Sequence, residues 1–315
     1  ATKSIVLLKN EGHLLPLNKN KIKSIGIIGP NANNRKALIG NYEGTASRYY
    51  TVAEGIQDYV GDDIRVYFSE GCHLYKKQIS GLGEKNDRIS EVKGVCEASD
   101  VIIACMGLDS GLEGEEGDQG NEFASGDKPN LDLPGIQQEV LETIYASGKP
   151  VVLILLSGSA LAVSWADENI PAILQGWYPG AQGGRAIASL LFGDHTPEGK
   201  LPVTFYKTNE ELPDFRDYNM KGRTYRYMEQ EALYPFGYGL SYTNFELSNI
   251  RCNKKEIEVN KPLELSVDIS NTGSYAGGET IQVYIKCEKE NTPNPPLTFF
   301  KKVFLKPGQR ETLDI

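Results

Sequence analysis

The run VVLILLS at residues 151–157 is the clearest structural signal in this chain. It is short and apolar and shows no in/out alternation, so it reads as a strand covered on both faces. Three other segments share its texture: SIGIIG at 24–29, VIIACMG at 101–107 and AILQGW at 172–177. DIRVYF at 63–68 is a weaker fifth. Helix signals lie between them. Pro134 stands at a first-turn position, Ile136, Val140 and Ile144 follow at i, i+4 and i+8, and Gly148 ends the pattern. Ala186, Ile187, Leu190 and Leu191 make another apolar face, closed by Gly193. Strands alternating with helices predict an α/β domain over 1–206, a mostly parallel sheet with helices on both faces.

Beyond Pro202 the texture changes. Residues 207–244 are rich in Tyr, Gly and Pro without a period and read as an ordered connector. From Phe245 onward short alternating segments appear, LELSVDI at 263–269, TIQVYI at 280–285 and FFKKVFL at 299–305, with turn clusters such as Asn271-Thr272-Gly273. That pattern predicts an all-β, immunoglobulin/fibronectin-III-like sandwich over 245–315. A complete domain of that kind takes ~100 residues, so this one is expected to be truncated.

Composition narrows the function classes. The chain has 315 residues, 40% hydrophobic and 24% charged, which is the globular range. A net charge of −9 with no Lys/Arg stripe argues against nucleic-acid binding. The longest apolar run falls far short of the ~20 residues that span a bilayer. Cys72, Cys96, Cys105, Cys252 and Cys287 are odd in number and widely spaced, with no CxxC, so neither a disulfide framework nor a zinc site is expected. Thiols of that kind and the lack of N-x-[ST] sequons lean toward a cytoplasmic rather than a secreted protein. The missing leader carries little weight, because Ala1 is not a natural start.

In an open parallel sheet, ligands bind beyond the carboxyl ends of the strands. The strand at 101–107 is followed there by LDSGLEGEEGDQGNEFASGDKPN, residues 108–130. This loop carries seven carboxylates, Asp109, Glu113, Glu115, Glu116, Asp118, Glu122 and Asp127, against Lys128 alone. Its glycines at 111, 114, 117, 120 and 126 permit tight bends and close approach to a ligand. Carboxylates so placed serve as a proton donor, a nucleophile or a calcium site, or simply as a solvated acidic loop; the spacing is not that of an EF-hand. Other motifs fail. Gly26-Ile27-Ile28-Gly29-Pro30-Asn31 is no dinucleotide fingerprint, no P-loop or G-x-S-x-G elbow occurs, and His13, His73 and His195 stand isolated and read as structural. Ser157 and Ser159 read as turn residues. Trp177 and Tyr178 at a strand end are candidate sugar-stacking rings, with Trp177 alternatively core.

Several segments together resemble glycoside hydrolase family 3, of the β-glucosidase/β-xylosidase type. SIVLLKNEGHLLPL (4–17) resembles the run joining that family's barrel to its second domain. GLDSGLEGEEGD and NLDLPGIQ resemble its acid/base loop and the helix after it. GWYPGAQGGRAIASLLFGDHTPEGKLPVTF (176–205) is the most specific match. GRTYRY (222–227), YPFGYGLSYTNF (234–245) and NTGSYAGGETIQVYI (271–285) follow in the family's order.

The resemblance implies a six-stranded αβα sandwich, then a fibronectin-III-like module. It also implies an exo-acting glycosidase that retains configuration on terminal β-linked sugars. Its nucleophilic aspartate lies on a separate barrel domain, which is expected to be absent from these residues and to be the partner of the same chain. By the E-x-E part of the family loop, Glu115 is the first candidate acid/base, then Glu113, then Glu116. Asp109, Glu116 and Trp177 are the expected sugar-binding positions. The sequence departs from the family in having Asp118-Gln119 where Asp-Arg is usual. The ligand is a β-linked oligosaccharide or glycoside, and the chemistry needs no metal or other cofactor. The competing reading is a non-catalytic carbohydrate-binding or scaffold module; a nucleotide-binding α/β domain is disfavoured by the missing glycine fingerprints.

Overall fold

The computed structural model describes residues 1–78, 84, 88–114, 128–254, 256, 261–286 and 292–315. Its first part is a six-stranded sheet. In chain order the elements are β1 (Val6–Asn10), β2 (Ser24–Ile28), α1 (Val52–Val60), β3 (Arg65–Ser69), α2 (Ile89–Ala98), β4 (Val101–Gly107), α3 (Gln137–Ala146), β5 (Val151–Leu156), α4 (Ser164–Asn169), β6 (Ala172–Gln175) and α5 (Gly183–Leu191). The spatial order is β1-β6-β5-β4-β2-β3. β2 to β6 run parallel, and β1 pairs antiparallel on β6 at the edge. β2 has β3 on one side and β4 on the other, so the order of winding reverses between β2 and β4. Such a reversal opens a crevice at the carboxyl ends of the two strands.

Alternation along each strand feeds two cores. Ile102, Ala104, Met106, Leu153 and Leu155 face one layer, with Val92 and Cys96 of α2, Val140 and Ile144 of α3 and Ala166 of α4. Ile103, Cys105, Val152, Ile154 and Leu156 face the other, with Val52 and Ile56 of α1 and Ile187 and Leu191 of α5. Both faces are apolar, and for that reason the strands show no polar alternation in sequence.

Helix α1 begins at a capping box, with the Thr51 hydroxyl accepting from Glu54 N and the Glu54 carboxylate accepting from Thr51 N. It crosses α5 at near backbone contact: a Cβ on Gly184 would stand 1.8 Å from the Thr51 carbonyl oxygen. Gly184 of α5 and Gly55 of α1 let those two helices touch, while Gly183 lets the chain pack against Pro179.

The structure adds β1, α1, α2 and α4 to the elements legible in sequence, and it starts α3 at Gln137, with Pro134 in the turn before it. Cys72, Cys96 and Cys105 are buried free thiols; burial pushes Cys72 up to about 12. Cys252 is exposed, and Cys287 lies outside the described residues. No helix among the described residues is long and apolar enough to cross a membrane.

The segment after β6 and α5 is tied down by three tyrosines spaced four residues apart. The Tyr234 hydroxyl donates to Asp167 Oδ1 at 2.6 Å, Tyr238 to the Leu8 carbonyl at 3.0 Å and Tyr242 to the Leu190 carbonyl at 2.9 Å. A single helical turn, α6 (Thr224–Tyr227), interrupts it.

The second part comprises β7 (Phe245–Cys252), β8 (Leu265–Asn271), β9 (Gly277–Tyr284), β10 (Leu297–Leu305) and β11 (Arg310–Asp314), all antiparallel. A β11-β8-β7 sheet and a β10-β9 sheet share a small core of Val267, Ile269, Leu313, Ile281, Val303 and Leu305. Asp268 ties the three-stranded sheet together, accepting from Thr312 Oγ1 (2.5 Å), Arg310 Nη2 (2.5 Å) and Asn249 Nδ2 (2.8 Å). Those hydrogen bonds, led by Thr312, hold its carboxyl well below the usual range. Two ion pairs join the parts, Glu198–Lys302 at 2.9 Å and Lys200–Glu279 at 2.8 Å. A Cβ on Gly278 would come 2.7 Å from the Glu198 carboxyl, so a side chain at that place in β9 would have to push the ion pair aside.

Candidate functional site

The carboxyl ends of the parallel strands form one edge of the molecule. Strand β4 ends at Gly107, whose φ is +129° and whose Cβ, if present, would lie 2.1 Å from the Leu156 carbonyl oxygen. Only glycine fits that bend. Asn31, just past β2, donates its Nδ2–H to the Leu108 carbonyl at 2.6 Å, which stitches the two strand ends at the reversal. Asp109 follows, 7% exposed. Its carbonyl accepts from Leu112 N and Glu113 N, and its Oδ1 accepts from Gly111 N at 2.9 Å. The chain therefore makes one helical turn from 109 to 113.

That turn delivers Glu113 to the ends of β5 and β6. Its Oε2 accepts from Gly158 N at 2.6 Å and from the Tyr178 hydroxyl, and its Oε1 accepts from the Ser159 hydroxyl. Burial, and then the Glu113 charge, push the Tyr178 phenol far above its ordinary value, so it stays a donor. The far end of the acidic segment lands on the same turn, where Lys128 Nζ donates to the Ala160 carbonyl. Burial lowers the Lys128 pKa, and the Glu113 charge opposes that shift. Ala162 N donating to the Leu131 carbonyl at 2.8 Å continues the attachment. Both feet of segment 114–128 thus stand on residues 158–160. Ser157 does serve the turn: its hydroxyl donates to the Ser159 carbonyl at 2.8 Å and accepts from the buried Gln175.

The other side of the edge is open. A pocket of about 500 Å³ lies over the ends of β3, β2 and β4, with Asn33, Asn34, Glu70, His73, Tyr75 and Asp109 in its wall. Asp109 Oδ2 accepts from Asn34 Nδ2 at 3.1 Å. His73 Nδ1 accepts from Tyr75 N (3.2 Å) and Lys76 N (3.1 Å), and its ring meets the Tyr75 ring edge-on at 4.8 Å. Burial, then the nearby Lys76 charge, hold the imidazole below its usual pKa. The sequence reading gave His73 a structural place; its position in this wall had no sequence signal, since it stands 36 residues before Asp109.

The structure brings Asp109 and Glu113 into one turn and sets Trp177 elsewhere. Trp177 adopts φ +60°, donates its indole N–H to the Ser4 carbonyl at 3.0 Å and packs edge-on against Phe205. It lines a separate groove of about 380 Å³ with Phe236, Leu297 and Phe300. The neighbouring Tyr178, named with Trp177 as an aromatic ring at the strand end, is the residue that reaches Glu113. Glu115 and Glu116 lie outside the described residues.

A doubly wound α/β domain that carries a tethered acidic loop at its carboxyl edge, followed by antiparallel sheets, is the class these features define. The model of the glycosyl hydrolase family 3 C-terminal domain matches residues 5–242, and the chain belongs to that family. A protein named beta-xylosidase from Formosa agariphila is 35% identical over 328 residues, covering 99% of this chain and 43% of its own length. The solved structure of a β-glucosidase from Erythrobacter marinus superposes with a TM-score of 0.84 at 33% identity, covering 100% of this chain and 44% of that one. An exo-β-xylosidase of the same family, solved with a xylobiose aziridine probe, superposes with a TM-score of 0.82 at 28% identity over 98% of this chain and 42% of that one. The chain thus spans less than half the length of each of these three relatives.

Proposed function

We propose that this chain is the acid/base-contributing part of a retaining, exo-acting β-glycosidase of β-glucosidase or β-xylosidase type. In this reading the nucleophilic aspartate sits on a barrel domain of the same polypeptide. Retaining hydrolysis uses two carboxyl groups ~5–5.5 Å apart, one attacking the anomeric carbon and one protonating the leaving oxygen. A donor on a loop must be held to the geometry of that pair. The observation that carries the proposal is the double anchorage of the acidic segment: Glu113 and Lys128 both stand on the turn after β5.

Glu113 has both oxygens engaged by three donors. A proton on Oε2, which already accepts from two donors, would displace one of them. Glu113 therefore fits the part of loop anchor, and Glu115, two residues on, is the proton donor in this reading. Asp109 and Glu116 are sugar contacts.

The test is Glu115→Gln in the full-length enzyme. Turnover of glycosides with poor leaving groups, which need protonation, is expected to fall by about 10²–10⁴, and glycosylation by activated aryl glycosides far less. An equal loss on both would remove Glu115 from the donor's part. The 315-residue chain alone is expected to leave aryl β-glucosides and β-xylosides intact; hydrolysis by it would place the nucleophile within these residues.

A further inference from the structure

Among the described residues three buried side-chain atoms have no hydrogen-bond partner: Asn31 Oδ1, Gln175 Oε1 and Thr204 Oγ1. The first two stand at strand ends on the carboxyl edge. Thr204 does not. It is 6% exposed and belongs to the wall of a cavity of about 330 Å³, which shares no residue with the Asp109 pocket or with the Glu113 anchor. An unpaired hydroxyl in the interior is unfavourable, so in a cavity wall it marks a place for a ligand that can pair with it.

The rest of that wall is ring surface, fixed by hydrogen bonds of its own. Tyr225 of α6 stacks on Phe236 with centroids 4.3 Å apart and meets Tyr284, the last residue of β9, edge-on at 6.4 Å. Met228, Pro235 and Pro295 add apolar surface. The Tyr225 hydroxyl oxygen accepts from Leu297 N at 3.0 Å, and the Tyr284 hydroxyl donates to Gln282 Oε1 at 2.6 Å. Asn294 Nδ2 donates to the Tyr225 and Met228 carbonyls at 2.5 and 2.9 Å, which clamps the run before β10 onto α6. Among the described residues no Lys or Arg lines the cavity, whereas the exposed Glu231 does, so an anion is disfavoured. Lys207 pairs with Glu231 at 3.6 Å, which weakens its pull on a cation. The chemistry that fits is an uncharged flat ring with one hydroxyl. Aromatic edges and a thioether favour a ring over an alkyl chain, and the volume suits a single one.

We propose that this cavity is a binding site for a small phenol, its ring against Tyr225, Tyr284 and Met228 and its hydroxyl paired with Thr204 Oγ1. The site is independent of the catalytic reading: the outcome of Glu115→Gln leaves it untouched.

Thr204→Val keeps the outline of the side chain and removes its hydroxyl, which separates a ligand partner from a structural group. The protein, labelled at its methionine methyls and at its tyrosine and tryptophan rings, is titrated with phenol by NMR, with benzoate and cyclohexanol alongside. The expected result is saturable shifts at Met228, Tyr225 and Tyr284 with a Kd of about 10 mM or below, and weaker binding of the other two compounds. In Thr204→Val the affinity for phenol should fall about three- to tenfold, while the ligand-free protein melts at the same temperature or higher. Thr204→Ser, which keeps the hydroxyl, should bind phenol more tightly than Thr204→Val. A flat titration at tens of millimolar phenol, shifts confined to the Trp177 groove, benzoate binding as tightly as phenol, or Thr204→Val binding phenol like the parent would each overturn the proposal. So would a Thr204→Val protein that melts several degrees lower, because its hydroxyl would then hold the chain together rather than meet a ligand.

Discussion

The two sides of the sheet's carboxyl edge are built on opposite plans. Over β5 and β6, three donors from the turn after β5 and from Tyr178 converge on one carboxylate, and Lys128 is half-buried nearby. Over β3 and β2, the polar groups of His73, Asn34 and Asp109 border a cavity and retain hydrogen-bonding capacity toward it. The first arrangement spends its polar groups on holding the chain in place. The second leaves them to meet something else. An acidic loop needs the first in order to be positioned, and a ligand needs the second in order to be held.

Substitutions on the two sides should therefore differ in what they disturb. Glu113→Ala has the largest expected effect on stability, about 2 kcal/mol by urea denaturation, because it strands the Tyr178 hydroxyl and leaves Lys128 without its counter-charge. A loss under about 0.5 kcal/mol would mean that the anchored side is no firmer than the open one. Tyr178→Phe removes one donor and should cost about 1 kcal/mol. Combined with Glu113→Ala it should add little, because both remove the same contact; full additivity would deny that the two side chains interact.

On the open side the expected signature is one of pH. Burial lowers the His73 pKa below its usual value near 6.5, so in that window the unfolded chain binds more protons than the folded one. The His73 contribution to stability is thus complete above about pH 6.5 and is lost as pH falls toward the folded value. Denaturation midpoints of the parent chain should decline over that interval, and those of His73→Asn should decline less. Identical profiles would show that His73 is not held in its neutral form. The smallest effect belongs to His73→Asn at pH 8, where stability should stay within about 0.5 kcal/mol of the parent. A larger loss would turn His73 into a structural residue and erase the contrast between the two sides.

The legible parts of the fold are those with a strong local signal. β2, β4, β5 and β6 were readable because both faces are buried and the residues are apolar throughout. β1 was not, because its VLLKN ends in two polar residues and its partner is β6, more than 160 residues away in sequence. Helix α2 has no side-chain cap at Arg88 and a mixed face, so its period was faint. At the site, the acidity and glycine content of 108–130 drew attention to the loop. The partners of Glu113 lie 45, 46 and 65 residues downstream, however, in segments that look like an ordinary turn and a strand end. Trp177 had the more conspicuous side chain, and its neighbour Tyr178 makes the contact.

Taken alone, the order of residues established an alternating α/β architecture, antiparallel segments after it, the family and the loop worth studying. Each follows from patterns within one element or from motifs kept in register along the chain. Which carboxylate is occupied, which imidazole nitrogen carries the proton and which tyrosine reaches the loop became visible only in three dimensions. Those properties belong to hydrogen bonds between strand ends that the sheet brings together, and a hydrogen bond reaches about 3 Å whatever the sequence distance between its partners.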